Sequence, residues 1–112
     1  MGANKIKSIP LLPKRIRILD LNNNQLKSMH GVRVCSQVEI LDLSQNDIKK
    51  VEDIDTMQKI KELNLSYNRI STVSNFSRFQ LLTLDELHLS YNSLTSVKEF
   101  APTFAPNLSV GI

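Results

Sequence analysis

Two histidines, one cysteine and eleven acids are the side chains of this 112-residue chain best suited to ligate a metal or carry a proton. His30 and His88 have no partner at ligand spacing, and Cys35 alone cannot build a zinc site, which needs several nitrogen or sulfur donors. Asp20 and Asp42 could be read as a carboxylate pair, but nothing around them promises the enclosed pocket that perturbs pKa values for catalysis. Gly2, Gly31 and Gly111 stand too far apart to cradle a phosphate. The expectation is a non-enzymatic chain with no cofactor, no metal and no small-molecule substrate. What does recur is an amide: Asn24, Asn46, Asn68 and Asn92 return at a near-constant interval. Each carries two donors and an acceptor.

These asparagines occupy one place in four copies of one skeleton: IRILDLNNNQL from Ile16, VEILDLSQNDI from Val38, IKELNLSYNRI from Ile60 and LDELHLSYNSL from Leu84. Every copy reads apolar, two variable, Leu, one variable, Leu, two variable, Asn, one variable, apolar. The leading leucines, Leu19, Leu41, Leu63 and Leu87, are 22, 22 and 24 residues apart. Around them apolar and variable residues alternate, the period of a short half-buried strand. Past each Asn the apolar residues fall three apart, at Leu26, Met29, Val32 and Cys35, then Ile48, Val51, Ile54 and Met57. Ile70, Val73, Phe76 and Phe79 follow, then Leu94, Val97 and Phe100. That spacing predicts a 3₁₀-like or loop return, since residues i and i+3 eclipse in such a turn. In this alignment Cys35 shares the core position of Met57 and Phe79, and the two extra residues of the third copy lie near Leu81 and Leu82.

One strand and one return make a coil whose inward leucines are covered only when coils stack. The Asn column is then structural: at the corner between strand and return, its amides satisfy backbone groups that the bend leaves unpaired. The expected organisation is a partial repeat over 1–15, four full repeats over 16–37, 38–59, 60–83 and 84–107, and the start of a fifth over 108–112. Pro10 and Pro13 delay the first strand, because proline cannot donate to a ladder. Pro102 and Pro106 argue against a closing helix, and Leu108, Val110 and Ile112 alternate like another opening strand. With neither end polar, the chain reads as a fragment of a longer protein or as one covered at both ends.

Composition narrows the class. With 41% hydrophobic and 22% charged residues the chain is ordinary for a globular protein, and its formal charge of +3 is mild. No apolar run is long enough for a signal peptide or a membrane span, and Ile6 stands where a myristoylation motif wants Ser or Thr. One cysteine allows no internal disulfide and favours a reducing compartment. The expected location is cytoplasmic, with nuclear or cytoskeletal association open, and no membrane partner. Nucleic acid has only the scattered bases Lys5, Lys7, Lys14, Arg15, Lys27, Lys49 and Lys50 in its support.

From Ile16 to Phe100 the pattern resembles the leucine-rich repeat family. Through returns such as NDIKKVEDIDTM, it resembles the intracellular 22-residue class that includes the protein phosphatase 1 regulatory subunit. The resemblance implies an α/β repeat solenoid: a right-handed coil with short parallel strands on the concave side and 3₁₀-like or loop returns on the convex side. It also implies action by binding another protein, as a scaffold or regulatory subunit.

On such a coil the variable strand residues form columns across the concave face: Ile18, Ile40, Glu62 and Glu86, then Asp20, Asp42, Asn64 and His88. Asn22, Ser44, Ser66 and Ser90 come next, then Asn23, Gln45, Tyr67 and Tyr91. With the outer positions, the face holds the acids Asp20, Glu39, Asp42, Asp47, Glu62, Asp85 and Glu86 against Arg17, Lys61 and Arg69, a net of −4 on a basic chain. The expected partner is a basic protein segment steered by the acids and anchored on Tyr67, Tyr91, Ile18 and Ile40. Asn64, Asn75 and Asn107 head glycosylation sequons. They keep open the alternative of a fragment from a secreted or cell-surface recognition ectodomain.

Overall fold

The computed structural model describes residues 5–72, 81–94 and 109–111. Its strands are β1 (Ile18–Asp20), β2 (Ile40–Asp42), β3 (Glu62–Asn64), β4 (Glu86–His88) and β5 (Ser109–Gly111). They form one parallel sheet in chain order. The leucines set the register: Leu19 pairs with Leu41, Leu41 with Leu63, Leu63 with Leu87, and Leu87 with Val110. A one-residue slip would turn every leucine to water, so burial on one face fixes the pairing.

Behind the sheet, the two leucines of the first and second coils meet the apolar residues of their returns. Leu41, Leu43, Ile48, Val51, Ile54, Met57 and Ile60 are all fully buried, as are Leu26, Met29, Val32 and Cys35 of the coil before. Each such side chain contributes about 1.5–3 kcal/mol when withdrawn from water. Ile6, Ile9, Leu12 and Ile16 pack on the first coil, and the Ile6 carbonyl accepts the Gln25 N–H at 2.9 Å. Among the described residues the returns are mainly turns, with one short 3₁₀ segment, Val32–Val34. Polar threads also join successive returns: Thr56 Oγ1 donates to the Arg33 carbonyl at 2.9 Å and Thr83 Oγ1 to that of Ile60 at 2.7 Å.

The third coil corrects the sequence alignment. The Leu84 N–H donates to the Leu81 carbonyl as Val38 does to Cys35 and Ile60 to Met57. Leu81, which is fully buried, therefore takes the place expected for Phe79. It stands 11 residues after Ile70, whereas Met57 and Cys35 stand 9 after Ile48 and Leu26. The two extra residues thus fall between Ile70 and Leu81, and Leu82 is exposed. Val73, Phe76, Phe79, Val97, Phe100, Pro102, Pro106, Leu108 and Ile112 lie outside the described residues, as do the sequons at Asn75 and Asn107.

Candidate binding face

The corner asparagines explain how the face is held. Asn46 Nδ2 lies 3.1, 3.0 and 3.1 Å from the carbonyls of Leu21, Leu43 and Ser44, and its Oδ1 accepts the Leu26 N–H at 3.0 Å. Asn68 repeats this one coil on, with the Leu43, Leu65 and Ser66 carbonyls and the Ile48 N–H. Asn92 bonds the Leu65 and Leu89 carbonyls and the Ile70 N–H. Asn24 receives the Ile6 N–H. Each amide thus staples its own corner to the preceding coil, the structural role expected of Asn24, Asn46, Asn68 and Asn92.

To seat that amide inward, the residue just before it takes a left-handed backbone. Asn23, Gln45, Tyr67 and Tyr91 have φ of 54°, 56°, 58° and 58°. Asparagine tolerates this region, whereas a bulky side chain there is an outlier. Tyr67 and Tyr91 nonetheless hold it, stacked with ring centroids 4.4 Å apart and planes 11° from parallel. They remain 49% and 72% exposed.

The first two columns face outward as expected, in registers Ile18–Ile40–Glu62–Glu86 and Asp20–Asp42–Asn64–His88. Ile18 is 68% exposed. The second column also shapes the turn that follows it: Asp20, Asp42 and Asn64 Oδ1 accept the N–H two residues on, from Asn22, Ser44 and Ser66. Ser44, placed on the open face by the sequence, is buried, and its hydroxyl donates to Asp42 Oδ1 at 2.6 Å. The sequon residue Asn64 is half-buried in mid-face.

Charge on the face is less free than a residue count implies. Arg17 Nε sits 2.7 Å from Glu39 Oε2, and Lys61 Nζ 3.5 Å from Glu39 Oε1, so three coils are tied along one rim. The Arg17 hydrogen bond leads in holding the Glu39 carboxyl below its ordinary range, with Lys61 adding to it. Arg69 pairs with Asp47 at 3.4 Å on the other rim. All three bases of the face are thereby engaged. Asp20, Asp42, Glu62 and Asp85 have no basic side chain within ion-pair distance among the described residues, and Glu86 has only His88, at 3.7 Å. The concave surface stays acidic, concentrated on its inner columns. Sequence reasoning missed these pairs, although side chains one repeat apart and opposite in sign were there to signal them.

Elsewhere, burial pushes the Cys35 thiol pKa up, which suits a core side chain rather than a nucleophile. No group of three or more His, Cys, Asp or Glu among the described residues could hold a metal ion. No helix among them is long and apolar enough to cross a membrane.

Residues 36–94 match the family model for the leucine rich repeat. No curated protein sequence matches the chain significantly. Among solved structures it is similar to internalin C2 of Listeria monocytogenes, with a TM-score of 0.74 and 24% identity over 87% of this chain and 42% of that one. It is also similar to an internalin, InlF, of the same organism, with a TM-score of 0.69 and 20% identity over 98% of this chain and 39% of that one. The functional domain of InlJ from Listeria monocytogenes, which includes a cysteine ladder, gives a TM-score of 0.55 and 16% identity over 97% of this chain and 32% of that one. The chain therefore spans less than half of each of these structures, and at such identities the likeness is one of fold. The family match covers more than half of the chain and agrees with its sheet, core and corner amides: the chain belongs to the leucine-rich repeat family.

Proposed function

We propose that the chain is a non-enzymatic protein-binding module, a scaffold or regulatory element that takes a basic protein segment on its concave face. The observation that carries this reading is the tyrosine pair. Folding asks only for a left-handed backbone at positions 67 and 91, which Asn23 and Gln45 also supply. Two tyrosines there accept backbone strain and leave apolar rings in water, and strain of that kind concentrates where structure serves recognition. The uncompensated acids on the same face supply the charge preference. The buried, three-spaced returns suit the short intracellular repeat class, and with it a cytoplasmic location.

The test replaces Tyr67 and Tyr91 together by Ala and compares proteins captured from lysate with those held by the parent chain and by a Lys49→Ala, Lys50→Ala control on the return side. Loss of a captured protein from the tyrosine variant alone, with folding intact by circular dichroism, supports the reading. Equal capture by all three refutes it. The ectodomain alternative turns on Asn64, where a glycan would fill the middle of the face. A mobility shift on glycosidase treatment, abolished by Asn64→Gln, would favour that alternative.

A further inference from the structure

The first concave column changes character halfway along. Ile18 and Ile40 stand side by side on β1 and β2, and Glu62 and Glu86 side by side on β3 and β4. Two apolar contacts are thus followed, in a straight line across the sheet, by two carboxylates. Glu62 has no basic partner among the described residues and Glu86 only His88. An occupant satisfying the whole line must present apolar groups to one half and cations to the other, on one side of its own backbone.

Spacing decides what backbone that is. Neighbouring strands lie about 4.8 Å apart, so the four positions span roughly 14 Å. An extended peptide crossing them would present same-side residues about 6.7 Å apart and overrun the column, at roughly 20 Å for four. A helix presenting residues i, i+3, i+7 and i+10 covers about 15 Å and stays in step. Its diameter of about 10–12 Å would also bring its flank over the neighbouring Asp20 and Asp42.

We infer that the concave column takes an amphipathic helix of a partner protein, laid across the coils, whose facing stripe has two apolar residues at one end and two basic residues at the other. The inference rests on the protein-binding reading above and adds the partner's secondary structure and the order of its contacts. The order of the stripe sets which way the helix lies, with its apolar end over Ile18 and Ile40 and its basic end over Glu62 and Glu86.

The probe is a labelled, alanine-rich helical peptide with Leu at i and i+3 and Arg at i+7 and i+10, compared with one of equal composition ordered Leu, Arg, Leu, Arg. Binding is read by fluorescence anisotropy. The parent chain is expected to prefer the segregated peptide by roughly tenfold, because the alternating one sets Arg against Ile40 and Leu against Glu62, losing one apolar contact and one charge pair. The paired substitution Ile40→Glu with Glu62→Ile keeps composition and charge but reorders the column, and should reverse the preference. Equal affinities, no binding of either peptide, or a preference that the paired substitution leaves in place overturns the inference. Such a result, with tyrosine-dependent capture intact, leaves the protein-binding reading standing, so the two fail separately.

Discussion

Two columns one residue apart in sequence, 24–46–68–92 and 23–45–67–91, have opposite fates. The first is asparagine in every coil, turned inward and bonded to its own corner and the preceding coil. The second has the same left-handed backbone in every coil, φ between 54° and 58°, yet its residues run Asn, Gln, Tyr, Tyr. Where the fold makes a chemical demand the residue does not change; where it demands only a backbone angle, the side chain is available for other work. Identity across coils therefore marks structure, and variation within a fixed geometry marks side chains that the fold leaves free.

That contrast breaks first at the interior. Leu63→Ala removes a fully buried side chain between two coils and should cost about 2–5 kcal/mol, the range for emptying a packed leucine site. Urea denaturation measures it, and a loss under 1 kcal/mol would mean that the coils do not share a core. Asn46→Ala should cost somewhat less, on the order of 3 kcal/mol, because it strands the Leu26 N–H and the carbonyls it bonds. Tyr67→Ala should fall well below both, about 1 kcal/mol for an exposed stack, while abolishing partner capture. If Tyr67→Ala destabilised as much as Asn46→Ala, the division between the columns would collapse.

The interior was legible in the sequence because it repeats. Leu19, Leu41, Leu63 and the asparagine corner follow from periodicity and hydrogen-bond capacity alone, and the columns on the face follow from that register. Three things did not follow. The place of the extra residues in the third coil depends on which carbonyl the Leu84 N–H finds, and Phe79 and Leu81 are equally apolar candidates. The burial of Ser44 goes with a turn in which its hydroxyl donates to Asp42 Oδ1, a contact that the repeat pattern does not specify. The rim pairs Arg17–Glu39–Lys61 and Asp47–Arg69 are contacts between coils, so counting charges by face overstated the free acid. The first two depend on contacts that the repeat pattern does not specify, whereas the rim pairs were signalled by opposite charges one repeat apart.

A smaller effect sharpens the second column. Gln45 holds φ of 56° without the aromatic stack that Tyr67 and Tyr91 share. Gln45→Gly removes a left-handed strain of roughly 1–2 kcal/mol and gives back about 0.5–1 kcal/mol in unfolded-chain entropy. Net stabilisation of about 0.5–1 kcal/mol is expected in urea melts. Destabilisation would show that the side chain, and not the angle, is what this corner needs.

The smallest effect lies on the rim, where exposure and salt weaken each pair. Arg17 and Lys61 hold the Glu39 carboxyl below its ordinary range, Arg17 most strongly. In the acid range the unfolded chain therefore binds more protons at this site than the folded one. The resulting stability is complete above the ordinary carboxylate range and fades as pH falls through it toward the depressed folded value. Glu39→Gln should leave a shallower acid limb in stability against pH, with the difference shrinking in high salt as the charges are screened. An acid limb unchanged by Glu39→Gln would mean that the Arg17–Glu39–Lys61 contacts add nothing to the stability of the coils.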